Sequence, residues 1–311
     1  MRRSAAAVLA VCASCAVADV VAEDGFIGAS FGARAQAMGG AFSAVSDDSL
    51  AVLWNPAGLG QLDRISLAGS QNHLSFTDNV FALMMNVPAG RWGTFAVSSQ
   101  QLTVEDISVT RPVLDSSGNP VLDPATNQPL YEITGFGRET DGTFILGYGF
   151  MPFPGVLLGG AGKVLVGNAA KVLGFGCGAN TGAILALPWH LRLGLVAEDV
   201  GRTTVEWRDG TQTRIRPSGR TGLAWSYAGV LLLSAEGRSP LNRLGAVFSL
   251  GAEWRYADVL AIRIGCDDWM MTGGAGFRMP VGGFGAVCAD YAFVTGDRNE
   301  DRNRLTITVV F

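Results

Sequence analysis

Along most of the chain, hydrophobic positions recur at every second residue. In 142–150, Phe144, Leu146, Tyr148 and Phe150 fall on one side of an extended chain, with Thr143, Ile145, Gly147 and Gly149 on the other. In 245–255, Ala246, Phe248, Leu250, Ala252 and Trp254 oppose Val247, Ser249, Gly251, Glu253 and Arg255. In 259–267, Leu260, Ile262, Ile264 and Cys266 oppose Ala261, Arg263, Gly265 and Asp267. Residues 190–198 and 305–311 repeat the pattern. Successive side chains of a strand point to opposite faces, so each segment reads as a strand with one apolar face and one polar or small face. Further strands are expected over 65–72, 80–87, 92–100, 156–166, 172–181, 220–227, 230–238, 273–279 and 284–293. The total is about fourteen, an even number of the kind single-chain bacterial barrels use.

The connections between these strands sort by parity. Those at 88–90, 151–155, 186–189, 228–229, 257–258 and 280–283 are short. The intervening ones, 101–141, 199–219, 239–244, 267–272 and 294–303, are longer, with 167–171 as a short exception. Short periplasmic turns alternating with longer outer loops are a barrel pattern. Trp92, Phe150, Trp189, Trp225, Tyr227, Trp254, Tyr256 and Phe311 then fall at the turn end, where rings of this kind sit at a membrane–water boundary. A terminal Phe on an alternating strand resembles the signal read by barrel-assembly machinery, which is expected as a partner during biogenesis. Inward-facing charges are expected at Lys163, Arg192, Glu198, Glu236, Arg238, Glu253, Arg255, Arg263, Asp267, Arg278 and Asp290. An unpaired Arg or Lys facing lipid costs about 2–4 kcal/mol at mid-membrane, which fixes the register. The fold expected is an all-β, antiparallel, up-and-down transmembrane barrel of about fourteen strands, its outer face in contact with outer-membrane lipid.

Composition supports lipid-facing strands. Of 311 residues, 48% are hydrophobic, only 16% are charged and 42 are glycine. Mean hydropathy is +0.27. No apolar run beyond the N-terminus is long enough for a membrane helix. Residues 1–18 read as a secretory signal peptide: Met1-Arg2-Arg3, an apolar run, then Ala16-Val17-Ala18. A lipoprotein signal at Cys12 or Cys15 is the rival. The net charge of −4 offers nothing to nucleic acid. Cys177, Cys266 and Cys288 allow at most one disulfide.

Residues 63–311 form the expected barrel and 19–62 the segment ahead of it, of which 25–62 does not alternate. Short helices are expected over 33–38 and 47–53, the second capped by Ser46 or Asp47 and broken at Trp54-Asn55-Pro56. A compact helical piece ahead of a barrel suits a hatch in the lumen; a periplasmic leader is the alternative. The run Gly32–Ser49, with Ala35-Gln36-Ala37-Met38-Gly39-Gly40 at its centre, followed by Trp54-Asn55-Pro56-Ala57-Gly58-Leu59, resembles the start of PorV/PorQ-type and FadL-type outer-membrane proteins. That resemblance implies a fourteen-stranded barrel with an N-terminal hatch carrying the Asn-Pro-Ala motif. The chain is shorter than fatty-acid transporters of this type, so none of their ligand-contact residues is carried over.

Catalytic chemistry has no sequence support. His73 and His190 have no ligand partners at metal spacing. Gly159-Gly160-Ala161-Gly162-Lys163 lacks the glycine and hydroxyl of a phosphate loop, with Leu157 and Val164 in their places. Asp47-Asp48 is expected to cap a helix and Asp267-Asp268 to solvate a loop. No catalytic residue, metal or cofactor is expected, and the chain is not expected to be an enzyme. Glycines in strands mark bends, bulges or close approach; Gly174–Gly178 is the candidate kink for a lateral exit. Three functions stay open: passive uptake of hydrophobic molecules such as long-chain fatty acids, which calls for an apolar pocket between hatch and outer rim; a secretion or interaction role with a protein partner at loop 101–141, which carries five prolines or glycines between Pro112 and Pro129; or a soluble periplasmic β-protein.

Overall fold

The computed structural model describes residues 31–73, 78–124, 126–169, 172–201, 203–239, 247–283, 285–295 and 302–311. The expected signal peptide 1–18 and the first part of the hatch segment lie outside the described residues. The sheet holds β1 (Ser66–His73), β2 (Asp78–Pro88), β3 (Thr94–Pro112), β4 (Tyr131–Phe153), β5 (Val156–Ala169), β6 (Val172–Leu187) and β7 (Leu191–Glu198). It continues with β8 (Thr204–Trp207), β9 (Gln212–Arg214), β10 (Ser218–Tyr227), β11 (Leu231–Arg238), β12 (Val247–Tyr256) and β13 (Leu260–Asp267), then β14 (Met270–Val281), β15 (Gly285–Val294) and β16 (Arg302–Val310). Fourteen of these close an antiparallel barrel; β8 and β9 form an extra hairpin beside β6. Closure is made by β1 on β16, from Ser66 opposite Val310 to His73 opposite Asn303.

The period-two pattern maps onto this wall. On β13, Leu260, Ile262 and Ile264 face out, while Ala261, Arg263 and Gly265 are buried within. On β12, Phe248 is 70% exposed and Leu250 59%, whereas Ser249, Gly251 and Glu253 are buried. Apolar side chains are therefore the exposed ones and charged side chains the enclosed ones. That inversion suits a barrel in lipid and would be untenable for a soluble sheet.

One end carries tight hairpins. Trp189-His190, Ala228-Gly229 and Ala257-Asp258 each have two consecutive residues at positive φ, between 50° and 69°. This is the type I′ geometry whose twist matches paired strands. Aromatic pairs line this end: Trp225 on Tyr227 at 5.9 Å and Trp254 on Tyr256 at 6.0 Å between centroids.

The opposite end differs from expectation in three places. The segment 101–141 is largely strand: β3 and β4 run on past the wall as a ribbon, leaving only 113–130 as its tip. The segment 199–219 contains the β8–β9 hairpin, which pairs with the outer half of β6. The expected outer loop 267–272 is a two-residue turn, Asp268-Trp269, with φ of 44° and 76°. Hairpin pairing continued past the membrane explains the first two, and turn chemistry the third. None of the described helices is long and apolar enough to cross a membrane.

Substituting a lipid-facing residue at mid-strand tests the assignment of faces. Ile264→Arg is expected to destabilise the folded barrel by about 2–4 kcal/mol, and Tyr256→Arg, at the aromatic end, by about 0–1. Denaturant titration of the protein refolded into liposomes measures both. Equal costs at the two positions would refute the depth assignment.

Candidate functional site

Residues 31–62 lie against the inward faces of the strands and form the interior core. α1 (Ala33–Ala37), α2 (Ala51–Trp54) and the 3-10 turn η1 (Pro56–Gln61) are its regular pieces. Phe31, Met38, Phe42, Val52, Trp54 and Leu59 are almost wholly buried, in one cluster with Val80, Met84 and Ile145 of the wall. The second helix begins at Ala51, four residues later than expected. Asp47 does not cap it: Arg34 draws that carboxylate away, at 2.5 Å. Asp48 accepts from the Leu50 N–H instead, within the turn that precedes the helix.

The motif 54–58 is the seat of the hatch. Pro56 cannot continue α2, and Asn55 takes an extended conformation, φ −155° and ψ 107°. The Asn55 side chain accepts from the Ala57 N–H at 3.0 Å. Its amide donates to the carbonyls of Ser43 at 2.7 Å and Ala183 at 3.2 Å, tying the two halves of the hatch to β6. The Trp54 Nε1–H donates to the Phe31 carbonyl at 2.8 Å. Ala57 is fully buried, and a side chain on Gly58 would strike the Ser46 carbonyl.

The glycine load is explained here. Inward glycines of the wall face the hatch directly: Gly159 meets the backbone of Pro56 and Ala57, Gly194 that of Ser43 and Ala44, and Gly265 that of Met38 and Gly39, while Gly182 meets the Asn55 side chain. A Cβ at any of them would overlap the hatch. Close approach of two backbones, one of the reasons a strand carries glycine, dominates. Gly174–Gly178 serves the same end: its inward members pack on Thr203, Val205 and Trp207, and the β5–β6 ladder runs through it without a register break. On its other side this stretch pairs with β8, the pairing of β6 with β7 beginning at Thr181.

Charges complete the seat. Glu253, fully buried, accepts from Arg34 at 2.8 and 3.1 Å, from Arg263 across the β12–β13 ladder at 2.6 Å and from Arg255 at 2.7 Å. Arg263 also reaches Asp290 at 2.7 Å. Within the hatch, burial, followed by the neighbouring Asp47, pushes the Asp48 carboxyl up against the pull of Arg34. Burial acts upward on Asp47 too, but the Arg34 guanidinium holds it below the usual carboxylate range. On the other side, Glu236 accepts from the N–H groups of Phe42 and Ser43 at 3.1 and 2.8 Å. Arg220 binds Glu198 at 3.1 Å and lies over the Trp54 ring at 5.2 Å.

Of the remaining expected charges, Lys163 pairs with Asp199 at 2.6 Å, Arg238 with Asp267 at 3.1 Å, and Arg192 donates to Gln61 at 2.7 Å. Asp267 thus sits in an ion pair rather than solvating a loop. Arg278 stays exposed at the turn end, beside a cavity of about 420 Å³ that Asp48, Arg64 and Asp258 also line. A smaller cavity of about 130 Å³ lies near Arg192 and Gly229. Both are on the turn side of the hatch and carry charges, unlike the apolar pocket expected near the outer rim. Arg34, Arg220 and Arg304 were not singled out from sequence. Parity would have marked Arg220, two positions from Gly222, and Arg304, two from Thr306.

The seat makes two expectations measurable. Gly159→Val is expected to unseat the hatch while leaving the barrel closed, read as new protease cleavage within residues 31–62. Glu253→Gln leaves Arg34, Arg255 and Arg263 short of their shared carboxylate and is expected to cost about 3–5 kcal/mol, read by denaturant titration. Loss of less than about 1 kcal/mol would contradict the node's role.

By sequence, no family model and no curated protein matches the chain. By structure it is similar to the CymD monoaromatic hydrocarbon channel, with a TM-score of 0.62 at 11% identity over 92% of this chain and 99% of that one. It is similar to the toluene transporter TodX of Pseudomonas putida, at 0.56 and 12%, over 94% and 98%. It is also similar to a FadL homologue of Pseudomonas aeruginosa, at 0.51 and 11%, over 88% and 96%. The fold is that of FadL-type channels.

Proposed function

We propose that the chain is an outer-membrane channel for the passive uptake of hydrophobic small molecules, long-chain fatty acids among the candidates. The observation that carries this is the hatch: a segment buried inside the barrel and seated on wall glycines. Structural likeness to channels named for toluene and monoaromatic hydrocarbons supports the solute class. In this reading the tight-turn end is periplasmic and the ribbon end extracellular. Ligand adsorbs at the outer end, the hatch shifts around Asn55-Pro56-Ala57, and ligand leaves through the barrel or its wall.

The outer ribbon favours a second reading. Tyr131, Ile133 and Phe136 are 61%, 60% and 69% exposed there, as a docking surface for a protein partner would need. This is the PorV/PorQ-like alternative, in secretion or surface interaction. A stoichiometric partner recovered from intact outer membranes, and lost on trimming the ribbon, would favour it.

A reversible lock separates the two. In a background without the native cysteines, Ser43→Cys with Gly222→Cys joins hatch to wall, because a Cβ at 222 lies against the Ser43 side chain. Uptake of labelled fatty acid or toluene by cells is expected to fall at least about tenfold when the bridge forms and to return on reduction. Uptake indifferent to the bridge would refute passage by hatch movement.

A further inference from the structure

Four arginines enclosed by the barrel differ in one respect. Arg34, Arg220 and Arg263 are each buried and each ion-paired with carboxylates. Arg304 is as buried, at 3% exposure, and like Arg220 leaves its Nε and Nη1 without a hydrogen bond, but unlike Arg220 it forms no ion pair with any of the described residues. Arg302, two residues away on the same face, also leaves its Nε without a partner. Asp267, on the same inward side of the wall, is held by Arg238 at 3.1 Å and by Ser249 at 2.8 Å.

Position places the pair on one side of the hatch. On β16 the inward face carries Arg302, Arg304 and Thr306 in succession. Thr306 marks the level of the hatch, accepting from the Ala33 N–H at 2.9 Å and bonding Ser70 at 3.0 Å. The two guanidiniums therefore stand on the loop side of the hatch, with Asn72 across the ladder from Arg304. An enclosed guanidinium without a counter-charge is costly, and the remedy used for its neighbours, an ion pair with a carboxylate, is absent among the described residues. The planar fork of Arg binds carboxylates and phosphates through paired N–H donors.

We propose that Arg304, with Arg302, forms an oxyanion-binding site on the loop side of the hatch, taking the carboxylate or phosphate group of a solute. The site does not depend on the hydrocarbon reading; an uncharged hydrocarbon would not use it. The anion is either free or the head of an amphiphile, and the same chemistry serves both.

The test uses the full chain in non-ionic detergent at fixed ionic strength, titrated with inorganic phosphate, hexyl phosphate and, as the uncharged control, hexanol. Phosphate is expected to raise the unfolding temperature of the wild type progressively. Arg304→Gln is expected to weaken apparent phosphate affinity at least about tenfold, with part recovered in Arg304→Lys. Hexyl phosphate binding more tightly than phosphate assigns the head of an amphiphile; equal affinity assigns a free anion; either upholds the site. Without anion, Arg304→Met is expected to melt no earlier than the wild type, since it removes an unmatched charge. The proposal is overturned if phosphate leaves the wild type unchanged, if Arg304→Gln keeps its affinity, or if Arg304→Met melts earlier and so marks a structural arginine.

Discussion

A backbone that crosses hydrocarbon must find partners for its N–H and C=O groups within itself. Most of what this chain does follows from that constraint. Pairing of β1 with β16 leaves no free edge in the wall, and the tight turns keep successive strands adjacent. Fourteen strands, however, enclose more space than their own inward side chains can fill; side-chain packing suffices at about eight. The interior is filled instead by residues 31–62, whose Phe31, Phe42 and Trp54 are the large buried aromatics of the molecule. The hatch, with inward wall residues such as Val80, Met84 and Ile145, is thus the hydrophobic core of a fold that turns most of its other large apolar residues outward.

A segment with its own backbone dipoles can fill that space only if those dipoles are also met. The wall meets them in two ways. Glycines such as Gly159 and Gly194 let hatch and strand backbones touch. Side chains such as Glu236, Thr306 and Thr272 supply acceptors for hatch N–H groups. Glycine weakens a strand by roughly 0.5–1 kcal/mol each, a loss that the closed ladder tolerates because no strand stands alone. The Glu253 node adds position more than stability: buried ion pairs return little net energy against a hydrophobic replacement, but breaking one is expensive. Its three arginines come from the hatch, from β12 and from β13, so only one placement of α1 satisfies them all.

This division explains what was legible in the sequence. The wall was, because a strand in lipid shows its environment in every second residue: Leu260, Ile262 and Ile264 against Arg263 needs no knowledge of the rest of the chain. The seat of the hatch was not, because its determinants are pairs far apart in sequence and chemically plain. Gly182 reads as any strand glycine until Asn55 is placed against it. Asp47 reads as a helix cap because the competing Arg34 declares itself only once α1 is docked. The two-residue turn at Asp268-Trp269 was missed for a local reason: Asp268 suits positive φ, but Trp269 stands where glycine would have marked the turn. The β3–β4 ribbon was missed because outside the membrane its strands lose the lipid-facing face that makes alternation visible.

The two sides of the hatch are held by different forces, and this bears on which solutes could part it. Towards β2–β4 the contact is mainly apolar, with Phe42, Leu50 and Leu59 in one cluster with Val80, Met84 and Ile145, and uncharged hydrogen bonds from Asn86 to the Ser49 carbonyl and from Thr94 to the Leu62 carbonyl at its margin. Towards β12–β16 it is ionic and hydrogen-bonded, through Glu253, Thr272 and Thr306. Opening the first seam to water costs about 25 cal/mol for each Å² of apolar surface exposed. A hydrophobic solute entering it re-covers that surface and removes most of the cost; water and ions do not. Opening the second demands that several charge-assisted bonds be broken together, for which a hydrocarbon offers no replacement. Under the uptake function proposed above, a hatch so attached would yield along its apolar edge while its charged edge held, and the solute that lowers the barrier would be of the class that the outer face of the barrel already attracts.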